Sequence, residues 1–360
     1  MKHYEARLAH DLAAIQTRVA GMADAVRAAI NEAVVGLETF DRSRLYQVIL
    51  DDHPINRESR AIDAMCHAFV ARHLPAAKHL RFVSSVLRLN IGLERIGDYA
   101  VTMGRVGVQL EKAPSEALLN DIRELADLSL GMLRDATRAF LEQNPELAKE
   151  TRPLAKDIDV VYARMFQNMV DEAGGRSLIQ VVRLLTIIDQ LERVSDQAKN
   201  LCEEAVFVAT GETKKPKVYK VLFVDRTNSL VSQLAVGMAC KAFPESGEYQ
   251  SAGWAISDAL HPGLERAGER LGIDTTDAAL QDFVSLVDGP NDFHVIVSLV
   301  PTDDVELPKI PFRSIFLQWN LGPAPTGEAD LQDARLDEIA REMRVRIRDL
   351  MVTLRGEDAP

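Results

Sequence analysis

The chain has 360 residues, of which 47% are hydrophobic and 27% are charged, and its formal net charge is −12 at pH 7. This composition predicts a folded, soluble protein and excludes disordered and fibrous classes, while the length predicts two or three domains. No stretch reaches the roughly 18 consecutive apolar residues of a membrane helix, and the N-terminus lacks a secretory signal pattern. The net negative charge argues against nucleic-acid binding, because that binding depends on basic side chains that neutralise phosphates.

The three cysteines are scattered along the chain at Cys66, Cys202 and Cys240, without CxxC spacing. This pattern argues against a disulfide framework and against a zinc site built from thiolates. We therefore expect the protein in a reducing, cytoplasmic compartment.

Residues 1 to about 212 are predicted to be helical throughout, as six helices in a bundle. Apolar residues recur at spacings of three and four along the first helix. They are Leu8, Leu12, Ile15, Val19, Met22, Val26 and Ile30. Five prolines are predicted to mark helix starts or ends. They are Pro54, Pro75, Pro114, Pro145 and Pro153.

The sequence changes character near residue 213. A short basic joint, Thr213–Lys217, is followed by a β-branched and aromatic run, Val218–Val224, that is typical of a buried strand. Helices are predicted at about 230–242 and 330–354, and further strands at 293–300 and 314–317. Alternating strands and helices predict an α/β domain with a parallel sheet.

The helical part contains an internal repeat. The segment Leu93–Ala100 recurs as Leu191–Ala198, with Leu, Glu, Arg, Asp and Ala at matching places. Each copy carries a Glu and an Asp four residues apart, which a helix places on one face, one turn apart. These pairs are Glu94 with Asp98 and Glu192 with Asp196.

Two interpretations of the acidic pairs remain open on the residues alone. Like charges one turn apart repel by about 0.2–0.5 kcal/mol, and a bound cation would neutralise them. Oxygen ligands favour hard or moderately hard ions such as magnesium, calcium, manganese or iron. Alternatively, the repeat preserves structural ion pairs with the neighbouring Arg95 and Arg193.

Several segments resemble the PhoU family in their order and spacing. They are Asp52–Glu58, His73–Arg81 and Leu93–Ala100, and the second copy ends in Glu203–Glu212, which is similar to the family's terminus. The resemblance covers essentially all of residues 1–212. It implies two pseudo-symmetric three-helix bundles, here residues 1–110 and 111–213.

The resemblance also implies a role as a negative regulator of phosphate uptake and phosphate-starvation signalling. Its implied partners are the cytoplasmic subunit of a phosphate ABC transporter, a sensor histidine kinase, or both, with peripheral membrane association through them. We expect a homodimer or higher oligomer. The implied cofactor is a divalent or iron-type metal ion. The implied ligand positions are Asp52, Asn56, Glu94, Asp98, Asp159, Glu192 and Asp196.

Two of the family's carboxylate positions are altered. Asn56 is a neutral, weaker ligand, and Ala155 can ligate nothing. The resemblance therefore predicts metal binding that is weak, mononuclear on one side, or lost.

The second part, residues 217–360, resembles the family of low-molecular-weight tyrosine phosphatases and arsenate reductases. The resemblance lies in Val221–Ser232, Ser251–Gly253, His261–Glu265, Leu271–Asp274 and Phe316–Trp319. That family's active loop is a cysteine, five residues, an arginine and a serine, with a later aspartate before a proline as general acid. It implies a parallel sheet flanked by helices.

Residue by residue, the catalytic groups of that family are replaced. Asp225 stands at the nucleophile position, Val231 at the arginine position, and Gly322 before Pro323. These replacements predict a catalytically degenerate domain and no enzyme. The polar loop residues either cap the following helix or form a weakened anion pocket. They are Arg226, Thr227, Asn228, Ser229 and Ser232.

Three functions therefore stay open on the sequence. The leading one is a non-catalytic regulator that docks through its helical bundles. The alternatives are a phosphatase or arsenate reductase-type enzyme, and a regulator that senses an oxyanion through its second domain.

Overall fold

The computed structural model describes residues 2–172, 175–213, 216–288, 293–300, 310–311, 314–322 and 329–357. The chain divides into two compact units, residues 1–214 and 215–360, which we name the helical unit and the α/β unit. The fold class predicted from the sequence is confirmed, since the first unit is all helical and the second contains a parallel sheet. Within the described residues, no helix is long and apolar enough to cross a membrane.

The described part of the helical unit contains seven helices rather than six. They are α1 (Lys2–Glu38), α2 (Arg42–His73), α3 (Ala77–Gly107), α4 (Glu116–Leu141), α5 (Pro145–Thr151), α6 (Leu154–Glu172) and α7 (Leu178–Thr210). The predicted count of six is one too low, and the shortest of the seven helices is α5. It begins where the Asn144 side chain accepts the N–H of Leu147 and Pro145 occupies the first turn, a common helix start.

One hydrophobic core runs through the helical unit. On α1, the predicted core residues Ile15, Val19, Met22, Val26 and Ile30 are at most 1% exposed, as their spacing predicts. Phe82 of α3 and Phe140 of α4 stack with ring centroids 5.5 Å apart. Because these rings belong to different repeats, the two repeats share a core.

Pro54 does not mark a helix end, so that prediction is wrong. It lies inside α2, whereas the other four prolines fall at or next to helix ends as expected. Proline removes one backbone hydrogen bond of the helix, to the carbonyl four residues earlier. Both Pro54 and Leu50 lie on the water-facing side of α2, where solvent can satisfy that carbonyl, while the buried Ile55 keeps the helix packed.

The α/β unit contains a four-stranded parallel sheet in the order β2-β1-β3-β4 among the described residues. Its elements are β1 (Tyr219–Asp225), α8 (Val231–Ala242), β2 (Gly247–Gly253), α9 (Leu264–Leu271), α10 (Phe283–Val287), β3 (Val295–Ser298), β4 (Ile315–Gln318) and α11 (Ala329–Arg355). The four residues Val221–Val224 of the central β1 are at most 1% exposed. A continuous apolar run of this kind is characteristic of a strand covered on both faces.

A loop follows β1 at the carboxyl end of the sheet. Asp225 ends β1 and is paired with Gly253 at the end of β2, while Val224 is paired with Ser298 of β3. The strand order reverses direction at β1, and ligands of open parallel sheets bind at such carboxyl-end crevices. The basic joint before β1 is described only in part, since residues 214–215 lie outside the described ranges.

Candidate functional sites: two acidic helix faces and the loop after β1

The first acidic face joins α2 and α3. The Asn56 side-chain amide donates to Asp52 Oδ2 at 2.5 Å, and Asp52 Oδ1 is buried with no hydrogen-bond partner among the described residues. Burial raises the pKa of Glu94, and the charges of Asp98 and Asp52 raise it further, against the opposing effect of Arg95. The sequence-predicted residues of both helices therefore share one electrostatic environment.

A glycine allows α2 to approach α3 closely at this face. A Cβ atom on Gly97 would lie 3.3 Å from Asp52 Oδ1 and 3.2 Å from the Ile55 side chain. In the second copy the same motif position is Ser195, whose hydroxyl donates to the Glu192 carbonyl at 2.7 Å. The two copies therefore differ in the residue at this position, a glycine that contacts α2 in the first and a serine bonded within its own helix in the second.

The second acidic face joins α6 and α7. Burial raises the pKa of Glu192, and the charges of Asp196, Asp159 and Asp189 raise it further, while Arg193 lowers it. Ala155, where the family resemblance implies a carboxylate, is only 9% exposed and supplies no ligand atom.

Asp189 belongs to this second face, and the sequence analysis missed it. It precedes Glu192 by three residues on α7, which places both on the same side of the helix. The Tyr162 hydroxyl donates to Asp189 Oδ1 at 2.5 Å. The spacing Asp189, Glu192, Asp196 was the signal available in the sequence, but the contact with Tyr162 depends on how α6 and α7 align.

The donor chemistry of both faces fits a hard cation, since carboxylate oxygens are the ligands such ions prefer. The unpartnered oxygen of Asp52 and the mutual repulsion of the carboxylates also favour a cation at the first face. In the part of the chain that the structure describes, however, no group of three or more His, Cys, Asp or Glu side chains is arranged to hold a metal ion. The carboxylates share a face without forming a ligand shell.

The loop after β1 is organised by the Asp225 carboxylate. Asp225 is 7% exposed and accepts backbone N–H groups from Thr227 at 3.0 Å and Asn228 at 2.6 Å through Oδ1. Its Oδ2 accepts the N–H of Ser232 at 2.9 Å. The residue at the predicted nucleophile position is therefore fully engaged by the amides around it.

Asn228 holds the shape of this loop. It is fully buried and has a positive φ of 54°. Its side chain donates to Ser232 Oγ at 3.0 Å and accepts from the Gln281 N–H at 2.8 Å. The Gln233 side chain donates to the Asn228 carbonyl at 3.0 Å. The sequence analysis did not predict the roles of Gln233 and Gln281, because these contacts depend on tertiary packing.

The remaining predicted loop residues lie at its rim. The hydroxyls of Thr227 and Ser229 are 2.9 Å apart, and Arg226 is exposed. Val231, at the arginine position, is the first residue of α8. Gly322 has a positive φ of 76°, and Pro323 lies outside the described residues.

Comparison with known proteins identifies the helical unit. The family model described as "PhoU domain" matches residues 19–106 and 122–205. The chain is 31% identical over 212 residues to the "Phosphate-specific transport system accessory protein PhoU homolog" of Pseudomonas putida, a match that covers 58% of the chain and 83% of that relative. The chain belongs to the PhoU family. The matched ranges contain both copies of the acidic motif and both acidic faces.

Solved structures agree with the assignment of the helical unit to the PhoU family. The crystal structure of PhoU from Streptococcus pneumoniae is 27% identical and has a TM-score of 0.53, and the match covers 59% of the chain and 99% of that structure. An arsenate reductase in the phosphate-binding state is 24% identical over 38% of the chain and 99% of that structure, with a TM-score of 0.32. That second likeness is too weak to support a conclusion about function.

Proposed function

We propose that this PhoU-family protein is a regulator accessory to phosphate uptake and to phosphate-starvation signalling. It acts by docking its helical unit onto the cytoplasmic subunit of a phosphate transporter, onto a sensor histidine kinase, or onto both. The observation that carries the proposal is the family match across both repeats of the helical unit. The named role of the relatives, accessory protein of the phosphate-specific transport system, supports the same class of partner.

The two acidic faces are the surfaces we propose for docking. Burial and the neighbouring carboxylates raise the pKa of Glu94 and of Glu192, and nearby positive charge does not fully compensate these carboxylates. A basic partner surface would relieve that repulsion, and complementary charge speeds encounter and selects the partner.

A pull-down with the full-length protein and the transporter's cytoplasmic ATP-binding subunit tests this function. We expect capture by the wild type and weaker capture after neutralisation of both faces (Glu94→Gln, Asp98→Asn, Glu192→Gln, Asp196→Asn). The matched control neutralises two exposed acids of α11, Glu338→Gln and Glu342→Gln, and should bind like the wild type. The proposal fails if deletion of the protein leaves phosphate uptake and starvation reporters unchanged.

We further propose that the α/β unit does not catalyse phosphoryl transfer. A thiolate nucleophile and an anion-binding arginine are what such chemistry would use in this loop, and the chain has Asp225 and Val231 in these positions. Since Asp225 accepts three backbone N–H groups, its oxygens are directed into the loop. A turnover assay on an aryl phosphate should give no signal above buffer, and activity that disappears in Asp225→Ala would contradict this proposal.

Binding of a hard divalent cation to the acidic faces is a separate proposal. Asp52, Glu94 and Asp98 would hold it on the first face, and Asp159 and Glu192, with their neighbours, on the second. Such an ion would cancel the repulsion among these carboxylates. In Asn56→Asp a further carboxylate replaces the amide that donates to Asp52, so we expect tighter binding of Mn²⁺ than in the wild type.

Equilibrium dialysis against Mn²⁺ with elemental analysis measures this effect. Neutralising Glu94 and Asp98 together should remove the first site and leave the second. Equal Mn²⁺ content in the wild type, in Asn56→Asp and in the neutralised variant would contradict the cation proposal, while leaving the docking proposal untouched.

A further inference from the structure

A crevice in the α/β unit lies between α8, α9 and α11. Its volume is about 370 Å³, at the small end of ligand pockets, which measure about 300–1,000 Å³. The floor is aliphatic, since Met238, Ile273 and Ile347 line it and are at most 8% exposed. Two cationic side chains, Lys241 of α8 and Arg344 of α11, line the same crevice. An apolar floor therefore lies beside two positive charges.

The two cations of the crevice have no carboxylate partner within the described part of the chain. Lys241 Nζ donates to the Leu271 carbonyl at 3.2 Å, which leaves its charge uncompensated, and Arg344 is exposed to solvent. The neighbouring Arg270 of α9 differs, because it pairs with Asp337 of α11 at 2.8 Å. The positive charge at the crevice is thus available to a ligand.

The positive charge extends along α11 from the crevice. Arg341, Arg344 and Arg348 are spaced by three and four residues, which places them on one side of the helix, and all three are exposed. Arg348 pairs with Asp349, but these side chains are 63% and 62% exposed, so that pair is weak. In a chain of net charge −12, this row of cations selects a partner of opposite charge.

An acidic peptide segment matches both features of the crevice. Its carboxylates would pair with Lys241 and Arg344, and a guanidinium can bind a carboxylate through two parallel hydrogen bonds. An aliphatic side chain of the peptide would fill the floor, where Met238 adapts readily to different apolar shapes.

Two other classes of partner match the crevice less well. A membrane surface is reached by apolar side chains that protrude, whereas the apolar floor here is recessed and buried. Single-stranded nucleic acid stacks its bases on aromatic side chains, and the described residues that line the crevice include no aromatic one.

We propose that the crevice between α8, α9 and α11 docks an acidic segment of a partner protein. The segment carries an aliphatic anchor residue flanked by aspartates or glutamates. Every residue of this surface belongs to the α/β unit, so the proposal does not depend on docking by the helical unit. It gives the α/β unit a binding role that requires no catalytic residue.

Fluorescence anisotropy with the full-length protein tests this proposal. The probe is a short fluorescein-labelled peptide in which a leucine pair is flanked by aspartates and glutamates. We expect the wild type to bind it, less tightly as salt rises, and to bind a peptide with serines in place of the leucines more weakly. Lys241→Gln combined with Arg344→Gln should weaken binding about tenfold, as loss of two exposed charge pairs does.

A matched control removes the same charge elsewhere in the α/β unit. Lys220 and Arg346 each have a carboxylate partner, Glu248 and Glu342 respectively. Lys220→Gln combined with Arg346→Gln should therefore bind the peptide like the wild type. Equal affinity of the wild type, this control and the Lys241→Gln, Arg344→Gln variant would overturn the proposal, as would a wild type that does not bind the peptide even at low ionic strength.

A second variant tests the apolar part of the crevice without changing its charge. Ala242 lines the crevice and is exposed, so Ala242→Phe should leave the fold intact, as circular dichroism can verify, and should abolish peptide binding by filling the space. Wild-type affinity in Ala242→Phe would contradict the proposal.

Two further measurements identify the other possible occupants. Binding to vesicles that contain phosphatidylglycerol, but not to the peptide, with loss of vesicle binding in the Lys241→Gln, Arg344→Gln variant, would replace the proposal by a membrane site. A dimer in sedimentation equilibrium that Ala242→Phe dissociates would mean that a second copy of the chain occupies the crevice, and the proposal would again be wrong.

Discussion

Replacing Phe140 with alanine will lower the free energy of unfolding of the helical unit by about 3–5 kcal/mol, the usual cost of removing a buried phenylalanine. The ring is fully buried on α4 and stacks on Phe82 of α3, with centroids 5.5 Å apart. Since this contact joins the first repeat to the second, the loss will affect both repeats. Urea unfolding followed by far-UV circular dichroism should show a single helical transition at a lower midpoint.

The control for this prediction lies on the same helix. Leu128 of α4 is 39% exposed, so Leu128→Ala should change the free energy of unfolding by only about 0.5 kcal/mol. Two separate helical transitions in Phe140→Ala would mean that the repeats unfold independently, in contradiction to a shared core. Tryptophan fluorescence, which reports on the α/β unit, gives an internal reference in the same sample.

The sequence predicted the helical unit well because its signals are local. Apolar residues at spacings of three and four in α1 become buried core residues, since one face of a helix repeats every 3.6 residues. Pro54 was misjudged because its effect depends on which side of α2 faces water, and that follows from tertiary packing. The predicted number of helices was one too low, although Asn144 before Pro145 is a recognisable start for the short α5.

The strand β2 was not predicted, and its sequence explains why. Gly247–Gly253 has glycine at both ends and mostly small or polar residues between them, whereas β-branched and aromatic residues are the usual strand signal. Its conformation comes from pairing with β1 along its whole length. Long-range pairing of this kind leaves little trace in the local sequence.

The candidate sites were only partly predictable, again because some of their contacts depend on long-range packing. The repeated Glu and Asp pairs could be placed on one helix face from spacing alone, but the contact of Tyr162 with Asp189 required the alignment of α6 with α7. Likewise, the sequence placed Asp225 at the nucleophile position without indicating that its carboxylate accepts backbone N–H groups. Only the folded loop brings the N–H of Ser232 back to a residue seven positions earlier.

Replacing Gly253 with alanine will destabilise the α/β unit by up to about 3 kcal/mol, as overpacking of a rigid site does. The new Cβ atom would lie 2.8 Å from the Asn228 nitrogen, 2.9 Å from the Arg226 oxygen and 3.0 Å from the Thr227 carbonyl carbon. All three are backbone atoms, so no flexible side chain can move aside. Because Asp225 is paired with Gly253, the loop must shift and its N–H groups will no longer converge on the carboxylate.

Tryptophan fluorescence during urea unfolding will show this loss as a lower midpoint for the α/β unit, with the far-UV signal of the helical unit nearly unchanged. Gly131 of α4 is the control for a glycine with free space around it, because no atom lies within 4 Å of a Cβ built there. Gly131→Ala should stabilise the helical unit by about 0.5–1 kcal/mol, since glycine disfavours a helix interior. A wild-type midpoint in Gly253→Ala would mean that the loop yields easily, in contradiction to the overpacking expected from these backbone contacts.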